Sequence, residues 1–277
     1  MNFKIEIFKT INGIGAASGL VYLKNNLYII SDNSGFLYQF NIKDNNLQKH
    51  QLIDNNQENI PKKDKPDFES ICFKNNKLHI FGSGSTKKRD QKVIFDLENL
   101  ESKSKDLSDL YADLKQIANF TDDELNIEGS FYHNENLYLL NRGNGDVAKN
   151  GIFIRNKTYK KITFKEFELP IINNIETSFT DAIVFENKIY FLATSENTTS
   201  TYLDGEVYGS ILGIIDIETL AVLSTIKITD NQKFEGLTIY SHSENEINFL
   251  VCEDNDTEEL LSKIYLLTLN DFLEMKI

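Results

Sequence analysis

One position of a recurring phrase carries the side chains best suited to chemistry: Ser18, Glu69, Glu128, Asp181 and Glu235. Four of these five are carboxylates, and a ring-shaped fold would bring equivalent positions together on its axis. Like charges held together disfavour one another's ionisation, so such a ring calls for a compensating charge. A hard divalent cation supplies it, and Ca²⁺ is the expected ion because it accepts about six to eight oxygen ligands. Glu69, Glu128, Asp181 and Glu235 are therefore the predicted metal ligands. Paired His or Cys ligands are missing, which argues against zinc or copper. The competing reading is a structural ring in which each acid accepts hydrogen bonds from loop amides.

Further polar side chains fall in segments expected on the same face. Asp32, Lys65, Ser83, Asn144, Glu196 and Glu253 are the candidate ligand-binding residues. Glu128 is the candidate general base, with Arg142 and Arg89 placed to steady a developing anion. Lys65, Arg89 and Arg142 would serve equally to neutralise nearby acids. The glycine-rich turns Gly82-Ser83-Gly84-Ser85 and Asn141 to Asp146 could cradle an anion with backbone amides, although such turns are ordinary in β-proteins. The four histidines, His50, His79, His133 and His242, offer no Ser/His/Asp triad. Cys72 and Cys252 sit inside apolar runs and read as buried thiols.

The elements that must position these residues follow from the repeat. The phrase reads SGLVYLKNNLYIISDN from Ser18, ESICFKNNKLHIFGSG from Glu69, EGSFYHNENLYLLNRG from Glu128, DAIVFENKIYFLATSE from Asp181 and EGLTIYSHSENEINFLVCED from Glu235. Successive starts lie 51, 59, 53 and 54 residues apart. That period suits one four-stranded propeller blade. Each copy continues into further short runs rich in β-branched and aromatic residues, which is strand chemistry. The fold expected is all-β: a single propeller spanning 1–277 with about five four-stranded blades, with room for a degenerate sixth between Glu101 and Asn126. The last copy lacks a fourth strand. Phe3 to Ile7 would fill that place and close the ring, removing a free sheet edge. Leu107, Leu110, Tyr111, Leu114 and Ile117 recur at helical spacing and predict a short helix over Asp106 to Asn119. Thr121-x-x-Glu124 hints at another helical turn. Within each blade the turns between first and second strands are tight, whereas the second-to-third-strand loops are long and share a face with the acids; function concentrates on such loops.

Composition bounds the rest. With 277 residues, 40% hydrophobic content and 26% charge, the chain has the make-up of a folded globular protein. A net charge of −13 repels a phosphate backbone unless basic residues gather on one face, and the longest uninterrupted basic run, Lys87-Lys88-Arg89, is brief and followed by Asp90. Nucleic acid is not an expected partner. Without an apolar run of signal-peptide or membrane-spanning length, the expectation is a cytoplasmic monomer that binds no membrane.

With these residues in view, the sequence resembles an uncharacterised bacterial β-propeller family. The resemblance rests on Lys65-Pro66-Asp67-Phe68-Glu69, Phe81 to Ser85 with Arg89, Asn126-Ile127-Glu128-Gly129, Arg142 to Gly145, Phe179-Thr180-Asp181-Ala182, Tyr202 to Gly205 and Phe234-Glu235-Gly236. More distantly, the Glu-Gly openings are similar to those of SdiA-regulated propellers and the esterase-like phytase group. Those relatives imply calcium at the central mouth and ester or phosphoester chemistry; Ser18 departs from the pattern. Two functions are therefore expected: a calcium-dependent hydrolase of phosphoesters, esters or lactones, or a non-catalytic propeller that binds a small polar or anionic molecule, or a protein partner, beside a structural ion.

Overall fold

The computed structural model describes residues 2–55, 57–143, 149–198, 205–255 and 259–270. The chain opens with a strand, β1 (Asn2–Asn12), and then builds blade one from β2 (Ala17–Leu23), β3 (Asn26–Ser31), β4 (Phe36–Asn41) and β5 (Asn46–Gln51). Blade two follows as β6 (Phe68–Lys74), β7 (Lys77–Gly82), β8 (Gln91–Asp96) and β9 (Glu101–Asp106). A helix, α1 (Ser108–Ala118), leads to blade three: β10 (Ile127–His133), β11 (Asn136–Asn141), β12 (Gly151–Arg155) and β13 (Ile162–Glu166). A small hairpin, β14 (Ile171–Ile172) and β15 (Ile175–Glu176), precedes blade four, made of β16 (Ser178–Phe185), β17 (Lys188–Asn197), β18 (Glu206–Asp216) and β19 (Val222–Lys227). Blade five is β20 (Lys233–His242), β21 (Glu246–Asp254) and β22 (Leu261–Asn270), with β1 as its outer strand.

The fold is thus a five-bladed β-propeller, closed as the sequence predicts. Strand β1 runs antiparallel to β22 from Asn2 opposite Asn270 to Asn12 opposite Leu261. Its apolar residues reach two cores: Phe3 and Ile5 pack into the cluster around Tyr190, Phe249 and Leu267, whereas Phe8 and Ile11 pack with Leu20 and Tyr38. The innermost strands β2, β6, β10, β16 and β20 lie side by side around the axis.

Local chemistry explains the elements. Four of the five first hairpins close with two-residue turns whose central residues both have positive φ, at Lys24-Asn25, Asn75-Asn76, Asn134-Glu135 and Glu186-Asn187. This turn matches the right-handed twist of the flanking strands, and asparagine tolerates it well. The exposed outer strand β9 reads ESKSKD and buries nothing, so its lysines blunt the free edge. Helix α1 buries Tyr111 and Leu114 against blades two and three but leaves Ile117 exposed. It ends at Asn119 in the left-handed conformation. Glu124 does accept the Thr121 N–H, yet this contact closes a turn and no second helix.

Candidate functional site

Each inner strand carries a β-bulge near its start, and the bulges define the mouth of the channel. Register breaks between Ala17 and Gly19, Phe68 and Ser70, Ile127 and Gly129, Phe179 and Asp181, and Phe234 and Gly236. The extra residues are therefore Ser18, Glu69, Glu128, Thr180 and Glu235. A bulge re-aims one side chain and is a recurrent device beside functional sites.

This register moves one predicted ligand. Asp181 was expected level with the glutamates, but Thr180 holds that place and Asp181 stands level with Gly19, Ser70, Gly129 and Gly236. That level faces the neighbouring blade at close quarters. A Cβ on Gly129 would lie 3.1 Å from Asp181 Cα, and one on Gly236 only 2.9 Å from Gly19 Cα and 2.6 Å from Cys252 Sγ, which explains the glycine after the acid in two blades. Asp181 accepts the N–H of Ala182 (2.8 Å) and, across the blade boundary, that of Leu237 (2.7 Å). The two bulge residues that are not acids also strap blades together: Ser18 Oγ donates to Phe68 O (2.5 Å) and Thr180 Oγ1 to Phe234 O (2.6 Å).

The remaining acids of the mouth are threaded by four buried or half-buried cations. On the side of blades one and two, Lys65 Nζ bridges Asp32 and Asp67 (2.7 Å to the latter), while Arg89 pairs with Asp67 at 2.8 Å and donates to Ser85 Oγ and Lys62 O. Asp67, in the left-handed region at φ 55°, also accepts from Ser83 Oγ. Burial works against its charge, but Lys65 and Arg89 outweigh burial and hold the Asp67 carboxyl below the usual range. On the opposite side, Arg142 joins Glu128 (3.4 Å) to Glu196, and Glu128 also accepts from Asn126 Nδ2 at 2.7 Å. Lys233 pairs with Glu235 (3.0 Å) and Asp254 (3.1 Å). Glu196 lies below the usual carboxylate range because Arg142 and Lys233 overcome its burial.

Compensation is incomplete. Burial, then the neighbouring Asp67 and Glu128, push the Glu69 carboxyl well up, and burial likewise raises Asp32, Glu128, Asp181 and Glu235. Among the described residues Glu69 accepts no hydrogen bond, and Asp32 Oδ1 is buried with no partner. Among the described residues, carboxylate oxygens of Asp32, Asp67 and Glu69 form one cluster, all within 4.8 Å of each other. Of the four predicted ligands only Glu69 belongs to it.

Of the other predicted residues, Lys65, Ser83, Glu196, Arg89 and Arg142 are all in the mouth. Glu253 instead accepts from Tyr265 Oη (2.6 Å) on the third strand of blade five. Asn144 lies outside the described residues. Asp67, Asn126 and Lys233, which the sequence reading did not single out as ligands, each stand two residues before a bulge glutamate, and that spacing was a readable signal. Cys72 and Cys252 are buried free thiols, raised by burial, to about 11 for Cys72.

The bulge recurs at the start of the inner strand in every blade of the ring. Residues 13–269 match DUF6929, a family of unknown function. The chain belongs to this family. No curated protein matches it in sequence. Among solved structures, this DUF6929 chain is similar to the allergen Mala s 1 of Malassezia sympodialis, with a TM-score of 0.55 and 9% identity over 93% of this chain and 95% of that one. It is also similar to the glutaminyl cyclase of Myxococcus xanthus, with a TM-score of 0.54 and 11% identity over 96% and 97% of the two chains. A luciferin-regenerating enzyme follows with a TM-score of 0.50 and 8% identity over 96% and 95%. At such identities the likeness shows the fold alone. No described helix of the DUF6929 chain is long and apolar enough to cross a membrane.

Proposed function

We propose that the mouth binds a divalent cation of the calcium type at Asp32, Asp67 and Glu69, and through it a small polar or anionic molecule. The observation that supports this most is Asp32 Oδ1, buried without a partner inside the same carboxylate cluster as Glu69. Lone pairs left unmade in a low-dielectric site are costly, and a hard cation satisfies them. Lys65 supplies charge to Asp32 and Asp67 but leaves Glu69 unpaired. The reading stops at binding.

Calcium should raise the thermal midpoint of the wild-type protein, because a ligand of the folded state alone stabilises it by about 2.7 kcal/mol at a hundredfold excess over Kd. Glu69→Gln should remove that gain. In metal-free buffer the same variant should be at least as stable as wild type. Glu69 has a raised folded pKa, so its contribution to stability is present below the unfolded value and is lost as pH rises through the folded one. The advantage of Gln therefore grows as pH rises above the unfolded carboxyl value, toward the ~0.5–2 kcal/mol common for single stabilising substitutions. An equal calcium response in wild type and variant would refute the assignment.

A further inference from the structure

A basic cleft lies on the tight-turn face of the ring, opposite the acidic mouth. The tight turns of blades two and three and the β12–β13 turn enclose a cleft of about 440 Å³ lined by Lys74, Lys77, Arg155, Lys157 and Lys160, with His79 and Tyr132 on its walls. Behind Tyr132 lies Lys92, only 7% exposed, whose Nζ is 3.1 Å from Tyr132 Oη and 4.4 Å from the Phe81 ring centroid. Two carboxylates answer these six cations: Glu135, shared by Lys74 (3.3 Å) and Lys157, and Asp96, paired with Lys77. Arg155, Lys160 and Lys92 make no ion pair with any described residue. The basic residues come from the β6–β7 turn, strand β8 and the β12–β13 turn, and only Arg155, Lys157 and Lys160 are neighbours along the chain.

We propose that this cleft is a binding site for a small phosphate-bearing molecule. The surplus of cations suits an anion of more than one charge. Arg155 offers a planar fork of donors and the lysines offer point charges, a combination that recognises phosphate oxygens. Lys92 does not line the cleft but adds positive charge behind its Tyr132 wall. A buried ammonium without a counter-ion is costly, and burial, followed by the nearby Lys105, Arg155 and Lys74, outweighs Cys72 in lowering its pKa to about 8. An anion in the cleft relieves that cost. His79, brought to about 4 by burial and by Lys92, stays neutral and keeps a buried Nδ1 with no partner. The cleft's volume fits a small molecule, and the chain's net charge of −13 opposes a long polyanion.

The test is calorimetric titration of the full chain with inorganic phosphate and with pyrophosphate, in metal-free buffer at constant ionic strength. Pyrophosphate should bind more tightly than phosphate, and the double variant Arg155→Ala/Lys157→Ala should weaken it at least tenfold. Both replaced side chains lie at the rim, so the unfolding midpoint serves as the check on folding. Glu69→Gln, on the other face, should leave it unchanged. Absence of binding, equal binding by the double variant, or loss of binding in Glu69→Gln overturns the proposal. An oligonucleotide that binds more tightly with increasing length overturns it in favour of a polyanion surface.

Discussion

Deleting residues 2–12 is expected to abolish the folded protein. Strand β1 is the outer strand of blade five, and ten of its residues are paired with β22. Its loss would bare β22, where Leu267 and Leu269 are fully buried, as an apolar sheet edge open to pairing with other chains. It would also remove Phe8 from its ring contact with Tyr240 (5.3 Å) and Ile11 from the core of blade one. The protein should accumulate as aggregate, without the cooperative transition of the parent. The start of β1 lies opposite the end of β22, so a permuted chain carrying residues 2–12 after residue 277 can rebuild the pair as a hairpin. That permutant should recover a soluble, cooperatively unfolding protein. A deletion that stays folded would contradict the closure.

The second large effect is expected from Arg142→Ala. The guanidinium is 7% exposed and bonds two carboxylates that are themselves almost fully buried, so truncation leaves both uncompensated. Breaking a buried pair in this way costs about 3–5 kcal/mol, measurable as a lower denaturant midpoint. Two carboxyls give the deficit its pH dependence. Glu196 has a depressed folded pKa, so the stability it draws from Arg142 is present above the unfolded carboxyl value and lost as pH falls through the folded one. Glu128 has a raised folded pKa, and without Arg142 its carboxylate is costlier still at high pH. Both terms make the deficit of the variant largest at neutral pH and smaller in acid. Adding Glu128→Gln and Glu196→Gln should restore part of the loss at neutral pH. A single variant within about 1 kcal/mol of wild type would show that the mouth is hydrated enough to carry bare carboxylates.

The ring was legible in the sequence because its signals are local or periodic. Alternating runs, two-residue asparagine turns and the missing fourth strand of the last copy together specify five blades and their closure. The mouth was legible only in part. Anchoring the repeat on its acids placed Asp181 beside Glu128 and Glu235. Anchoring it on the apolar residue before the bulge, Phe68, Ile127, Phe179 and Phe234, puts Thr180 there and assigns Asp181 to the cross-blade contact. A bulge shifts a strand by one residue without changing its composition, so the alignment of acids alone could not detect it. Nor does spacing tell which cation meets which acid: Lys65 reaches Asp32 across a blade boundary, and Arg142 reaches Glu196 from a residue 54 positions away. The basic cleft was legible only in part: Arg155, Lys157 and Lys160 stand together along the chain, but no local pattern brings Lys74, Lys77 and Lys92 beside them.

The central claim is that the mouth holds a divalent cation among Asp32, Asp67 and Glu69. Crystals soaked in manganese, which shares calcium's preference for oxygen ligands, would locate the ion directly by anomalous scattering. The account predicts one dominant peak within coordination distance of Glu69 and Asp32 Oδ1, absent from crystals of Glu69→Gln. A mouth without a peak in fully soaked crystals, or a peak confined to surface acids, would contradict it.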